Sequence, residues 1–301
     1  MRPSRSPGSI ELTLALLAMS APAAACPCGA PAGAAPAWTT VGERIALNVT
    51  AGWTHEYGTF DARARARPLP PGVSTERATL DLTAAWRALP SLELSAGLAG
   101  AWTRAAQPGT FREGISLGDS TFRARWESPA PRSPARPALA LWGAIRAPTG
   151  DRDEGVNVLT AVGLGHWELS LGAQARWHLG RAWELSAAAE LGLRAPATRG
   201  DATVTPGPRA LVALAAVWRP SPRVALNASL SAWWEAPMWI RGEQSPDAGA
   251  YRVGPGAGAS WQVREGLRVM TSVSVDPRVD GLGANGGANL RATLGITAAL
   301  R

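Results

Sequence analysis

The chain has 301 residues and a formal net charge of +7, with 33 glycines and 25 prolines. All 30 basic residues are arginine, which excludes lysine-based chemistry such as Schiff bases and the P-loop lysine. Beyond the N-terminus no apolar run reaches the roughly 20 residues that a membrane-spanning helix needs, so a helical membrane protein is excluded. The composition favours a folded β protein.

Residues 1–25 have the features of a cleaved secretory signal. Two arginines precede a short apolar stretch, and a run of three alanines supplies the cleavage site. Residues 26–43 form a flexible tail rich in alanine, proline and glycine. Cys26, just after the cut, is a candidate for lipidation; the alternatives are a tail whose two thiols, Cys26 and Cys28, oxidise, or a soft-metal pair, which two thiolates alone do not complete. No metal site and no cofactor are predicted.

Residues 44–301 alternate apolar and polar side chains with a period of two, which is typical of strands with one apolar face. The first segment has one face made of Ile45, Leu47, Val49, Ala51 and Trp53. Further segments repeat the pattern, so an all-β fold of about twelve strands is expected. The predicted segments are 44–54, 77–87, 91–104, 118–128, 138–147, 167–179, 183–194, 208–219, 223–235, 250–263, 267–276 and 289–301.

The connections between these segments alternate in length. Short turns follow the second, sixth, eighth and tenth segments, and a somewhat longer proline-rich turn, 129–137, follows the fourth. Odd-numbered segments are followed by longer loops rich in glycine, proline and charge, such as 55–76, 105–117 and 148–166. An even number of antiparallel strands with this asymmetry is typical of a transmembrane up-and-down β-barrel of the bacterial outer membrane, with the short turns in the periplasm.

The tryptophans support the same interpretation. Ten of the 14 fall on apolar rows near the predicted strand ends, as an aromatic girdle at the two membrane interfaces requires. The alternative is a soluble sandwich whose strands are capped by tryptophan. The girdle candidates are Trp86, Trp126, Trp177, Trp183, Trp218 and Trp261 on the periplasmic side, and Trp53, Trp102, Trp167 and Trp234 on the outer side.

Three short motifs resemble the outer-membrane barrel family associated with the meta-pathway of phenol degradation. They are Ser116-Leu117-Gly118-Asp119, Ala147-Pro148-Thr149-Gly150-Asp151 and the segment Gly163–Leu169. The resemblance extends over about residues 90–301. It implies transport of small, hydrophobic or aromatic molecules across the outer membrane, and it carries over no catalytic residues. Turn chemistry alone also explains Pro148-Thr149-Gly150-Asp151, which would then have no ligand role.

The polar rows are expected to line the lumen, and they carry arginines and acids in similar number. One interpretation is a lattice of ion pairs that only stabilises the interior. The other is a constriction with a mild preference for anions, because rings of arginine set selectivity in pores. The lumen-lining candidates are Arg77, Asp81, Arg123, Arg125, Trp142, Arg146, Arg176, Glu190, Trp233, Arg252 and Arg268.

These features predict an outer-membrane channel or transporter for small solutes that are hydrophobic, aromatic or weakly anionic. A non-conducting structural or loop-binding barrel is the alternative. A lipase-like barrel is the third option, but none of the histidines His55, His166 and His178 has a serine two residues away, so no enzyme is expected. The expected partners are outer-membrane lipid, the solute and the barrel-assembly machinery. Nucleic acid is not expected, because the arginines do not cluster on one face.

Overall fold

The structure, a computed structural model, describes residues 43–129, 136–150, 165–180, 182–199, 202–245 and 249–300. The predicted signal peptide, almost all of the predicted tail with Cys26 and Cys28, and the loop residues 151–164 lie outside these ranges. Among the described residues, no helix is long and apolar enough to cross a membrane.

Twelve long antiparallel strands form the wall of a closed barrel. Each strand pairs with its neighbours in sequence, and the first strand also pairs with the last, from Ile45–Leu300 to Phe60–Gly286. The predicted up-and-down barrel is therefore confirmed. The strands are β1 Ile45–Phe60, β2 Ser74–Leu89, β3 Leu92–Gln107, β4 Thr110–Leu117 and Ser120–Glu127, β5 Ala138–Ala147, β6 Glu168–Leu179, β7 Trp183–Arg194, β8 Arg209–Ser221, β9 Val224–Glu235, β10 Ala250–Arg264, β11 Leu267–Val275 and β12 Gly286–Leu300.

The apolar row of each strand faces outwards. On β1, Leu47 and Val49 are exposed, whereas Asn48 and Thr50 between them are buried inside the barrel. The same arrangement, which is the reverse of that in a soluble protein, is found around the wall: leucines are exposed on the outside and polar side chains lie inside. A continuous apolar exterior of this extent is stable only in lipid, so the barrel spans a membrane and the soluble sandwich is excluded.

The outer ends of several strands are longer than the alternation indicates. The predicted loop 55–76 is wrong in part, because β1 continues to Phe60 and β2 already begins at Ser74. The predicted loop 105–117 is also wrong: β3 and the first half of β4 form a tight hairpin that turns at Pro108 and Gly109. At these outer ends charged residues interrupt the apolar row, as Glu113 does between Phe111 and Ile115, while the backbone pairing continues.

Several short strands lie at the outer end of the barrel. Ala66–Pro68 pairs with β1, and Gly283–Ala284 pairs with β10. Four further short strands, Ala197–Arg199, Ala202–Thr205, Trp239–Ile240 and Glu243–Gln244, form a small sheet above β7–β10. The outer mouth therefore has a folded rim.

The first and last outer loops join above the closure of the barrel. The amide of Ala66 donates to Asp280 Oδ1 at 2.7 Å, and the amide of Gly281 donates to the carbonyl of Ala64 at 2.8 Å. Phe60 lies below them and is 2% exposed. These contacts tie together the two chain ends of the barrel.

Candidate functional site: the barrel lumen

All eleven lumen candidates lie on the inward rows of their strands. Six of them, namely Asp81, Arg125, Trp142, Arg146, Glu190 and Arg252, are buried, and the other five are partly exposed. Six of the eleven fall into three clusters of interacting side chains. The other five belong to none of these clusters: Arg77, Asp81, Arg123, Arg146 and Arg268, the last of which pairs with Glu43 at 3.0 Å.

The upper charge network connects five neighbouring strands, β5 to β9. It consists of Trp142, Glu168, Glu190, Arg194, Arg209 and Glu235. Arg209 is at its centre: Nη2 lies 2.7 Å from Glu168 Oε1 and 3.0 Å from Glu190 Oε1. Arg194 binds the other side of Glu168 at 3.2 Å and also binds Glu235. Each buried charge has a counter-charge, which is what burial requires.

Glycines allow the large members of this network to lie along the wall. Trp142 on β5 pairs with Gly172 on β6, and Gly172 pairs with Glu190 on β7. The indole crosses over Gly172, where a Cβ would lie 2.2 Å from its ring, and its Nε1 donates to Glu190 Oε2 at 3.0 Å. Gly192 accommodates the Arg209 side chain in the same way, at 2.9 Å. These large side chains are therefore held against the wall.

The lower charge network lies near the periplasmic end. Arg87, Arg125 and Arg176 all contact the carboxylate of Glu127, at 3.4, 3.0 and 3.4 Å. Arg125 also donates to Gln174 Oε1 at 3.1 Å. Glu93 also lies 3.9 Å from Arg87. Three guanidinium groups therefore face two carboxylates, which leaves a net positive charge on this side of the lumen.

A third cluster joins β9 to β12 near the outer end. Arg252 lies over the ring of Trp233, 4.7 Å from its centroid, and 3.7 Å from Asp276 Oδ2. Arg291 contacts the same carboxylate at 2.6 Å, and Asn289 donates to it as well. The tryptophan therefore holds a guanidinium in place and does not project freely.

Below this cluster the inner face of β9–β11 is uncharged. Between the cluster and Arg268, the inward side chains are short apart from Asn227 and Met270. All of these positions except Gly254 are partly exposed, whereas most of the upper charge network on the opposite side is buried. We call this strip the serine–glycine wall. It consists of Ser229, Ser231, Gly254, Gly256, Gly258, Ser272 and Ser274.

The ten girdle tryptophans all lie on outward rows. Trp102 and Trp177 are partly exposed and the other eight are exposed to the surroundings. Trp183 and Trp218 stack at 6.2 Å on the periplasmic side, and Trp102 donates to Glu113 on the outer side. Their amphipathic rings fit the two interfaces of a bilayer.

The histidines are spread over different parts of the barrel. His55 faces outwards and stacks on Trp53 at 5.6 Å, and its Nδ1 lies 3.7 Å from Glu76. His178 is exposed at the periplasmic end, 3.5 Å from Glu184, and His166 is buried just before β6. Their positions do not assemble a shared site.

Two of the sequence motifs meet at one corner of the outer rim. β4 contains an extra residue at Gly118-Asp119 relative to β3, which is a β-bulge. Asp119 Oδ1 accepts from the amide of Gly150 at 3.1 Å, and a Cβ on Gly150 would lie 2.6 Å from the backbone of Gly118. Thr149 binds Ser120 through its hydroxyl. The corner brings together β4 and the end of β5.

Sequence reasoning left several of these residues off the candidate list. Glu168, Arg194, Arg209 and Glu235 alternate with apolar residues as the candidates do, but their contacts depend on cross-strand register. Gly172 has no sequence signal, because only the register with Trp142 gives it a role.

Comparison with known proteins identifies the family. Residues 77–292 match the family described as "Putative MetA-pathway of phenol degradation", which is more than two thirds of the chain. The chain belongs to this family, and the predicted resemblance is confirmed. No curated protein sequence matches the chain.

Solved structures show the same fold. An outer membrane channel from Pseudomonas putida F1 has 14% sequence identity and a TM-score of 0.74, and the match covers 88% of this chain and 98% of that one. The β domain of the Bordetella autotransporter BrkA has 13% identity and a TM-score of 0.51, with 85% and 100% covered. The barrel thus has the fold of outer-membrane proteins, in agreement with its lipid-facing exterior and its predicted location.

Proposed function

We propose that this protein is an outer-membrane channel for small solutes and that the solute moves along the serine–glycine wall. The carrying observation is the contrast between the two sides of the lumen. On the side of β2–β8 the inward rows carry many charged side chains, which are buried or partly exposed and mostly paired. On β9–β11, below Arg252, the inward rows carry short uncharged side chains that are partly exposed inside the barrel. Solute passage needs this accessible side.

The lumen chemistry supports small solutes of mixed character. Short serine and glycine residues leave space without a strong charge, which suits hydrophobic or aromatic molecules. The arginine-rich lower charge network attracts weak anions electrostatically. The family description refers to phenol degradation, and the similar protein from Pseudomonas putida F1 is described as a channel. Both support a solute class of this kind.

The lumen candidates are proposed to act by binding and filtering the solute, without catalysis. For export we propose a cleaved signal at residues 1–25 and a flexible tail at residues 26–43. Cys26 remains a candidate for lipidation, and a tail whose thiols oxidise remains the alternative. Insertion is proposed to need the barrel-assembly machinery, and outer-membrane lipid is the proposed surroundings of the girdle.

Two tryptophan substitutions on neighbouring positions of β9 test the path. Ser231 faces the lumen in the serine–glycine wall, and Ala232 faces lipid. S231W is expected to reduce single-channel conductance in planar bilayers severalfold, because an indole replaces a hydroxymethyl group inside the lumen. A232W, the matched control, is expected to conduct like the unsubstituted protein. Equal conductance of the two variants would contradict the proposed path.

A non-conducting barrel is the second candidate, and one observation favours it. Many inward side chains are almost inaccessible, including Asn48 at 2% and Thr297 at 3%, which are hydrogen-bonded to each other across the barrel closure. The same bilayer experiment separates the candidates. Silent insertion of the folded, unsubstituted barrel would favour a structural or loop-binding role.

A further inference from the structure

Arg77 is placed at the outer mouth of the lumen. It follows the inward row of β2, where it pairs with Thr54 on β1 and Thr103 on β3. The next residue, Ala78, faces lipid and pairs with both Trp53 and Trp102 of the outer girdle. The guanidinium of Arg77 therefore enters the lumen at the level of the outer girdle.

Arg77 differs from the arginines of the three clusters. Arg125, Arg209 and Arg291 each lie within 3.0 Å of a carboxylate oxygen. Arg77, by contrast, makes no hydrogen bond or ion pair with any residue in the described ranges, and no charged group among them acts on it. An inward guanidinium without a counter-charge is costly, since a buried cation is normally paired.

A second polar group beside Arg77 also lacks a partner. Thr103 is 0% exposed, and its Oγ1 has no hydrogen-bond partner in the described structure. It stands directly opposite Arg77 on the adjacent strand. Buried hydroxyl groups are nearly always hydrogen-bonded, so an unsatisfied one next to an unpaired cation indicates a ligand that both would bind.

We propose that Arg77 and Thr103 form a binding subsite for the carboxylate of a small organic anion, which rests on the channel function proposed above. The planar guanidinium offers two parallel N–H donors that match the two carboxylate oxygens. The Thr103 hydroxyl adds a third donor from the neighbouring strand. Arg77 is the single cation of the subsite among the residues that the structure describes, and Asp81 lies four residues further along the same inward row. The subsite therefore matches a monoanion better than a doubly charged phosphate.

The test measures binding directly and does not depend on conduction. Refolded full-length protein in detergent micelles is titrated with sodium benzoate, and with benzamide as the neutral analogue, by saturation-transfer-difference NMR. The variants are R77Q and T103V. The matched control is R104Q, which removes the same charge from an exposed arginine that lies over Phe111, outside the lumen. The heat-induced mobility shift of a folded barrel verifies each variant.

We expect R77Q to weaken benzoate binding by about tenfold or more, because charge-assisted hydrogen bonds are the strong ones. T103V is expected to weaken it by a smaller factor, and R104Q to leave it unchanged. Benzamide should bind weakly and equally to all four proteins. Equal benzoate binding by the unsubstituted protein and R77Q would overturn the subsite. If the protein conducts ions but shows this equality, the channel stands and the subsite fails; if benzoate binds as expected to a non-conducting barrel, the channel fails and the subsite stands.

Discussion

A methyl group added at Gly172 should displace Trp142 from the wall into the lumen. The Cβ of an alanine there would lie 2.2 Å from two carbons of the indole and 2.6 Å from Nε1. Since carbon atoms are in optimal contact at about 3.5 Å, the ring must withdraw by roughly 1.3 Å. The substitution G172A therefore acts on a side chain of another strand.

The expected loss of stability in G172A follows from the hydrogen bond that is broken. Trp142 Nε1 lies 3.0 Å from Glu190 Oε2, so a displacement of this size breaks the bond. A hydrogen bond to a charged group contributes about 1.5–3 kcal/mol. G172A should lower the free energy of unfolding by about this amount and should lower conductance as well, because the ring now occupies part of the lumen.

A double-mutant cycle with W142A isolates the effect. Without the indole, G172A should cost little, so a coupling energy of about 1.5–3 kcal/mol is expected from urea unfolding in lipid vesicles. G143A is the control, because a Cβ on the lipid-facing Gly143 meets Leu171 at an ordinary 3.4 Å. If G172A were equally destabilising with and without Trp142, the proposed contact across the strand would be refuted.

Three further predictions concern other parts of the barrel. R209A should destabilise the protein by about 3–5 kcal/mol in urea unfolding, since it removes the ion pair of the buried Glu190 and the shortest ion pair of Glu168; a loss below 1 kcal/mol would contradict this. G150A should loosen the outer corner, detected as faster proteolysis of the adjoining loop, because its Cβ would meet backbone that cannot move aside. In the first outer loop the hydrogen bond from the amide of Arg65 holds the pKa of Asp61 below its usual value. This hydrogen bond should therefore be fully formed above the pH range where aspartate normally titrates, and it should be lost as the pH falls through the lowered pKa. Hydrogen exchange at the Arg65 amide that stays unchanged under acid would argue against this.

The strands of the barrel wall could be predicted from the sequence better than the contacts between side chains in the lumen. Strict alternation and the tryptophan rows are properties of single strands, so strand positions and the lipid-facing side could be read directly. Trp142 was recognised as a lumen residue, but its place beside Glu190 depends on Gly172 in the strand between them. Such contacts arise from register and shear, which no single strand encodes.

The same limit applies to the outer ends of the strands. The hairpin through Pro108 and Gly109 was predicted as a loop, because its turn residues and the charged Glu113 interrupt the apolar row. Arg77 was predicted to line the lumen, yet only the structure shows that no described residue supplies a counter-charge to it, while Arg209 has two. Which charged side chains form ion pairs depends on the register of neighbouring strands, which the sequence of one strand does not contain.

Single-channel recording of the purified, refolded protein in planar bilayers, with ion selectivity from the reversal potential, tests the channel function most directly. We expect discrete conductance steps of a narrow pore with a weak preference for anions. Insertion of a folded, heat-modifiable barrel that passes no current would contradict this expectation.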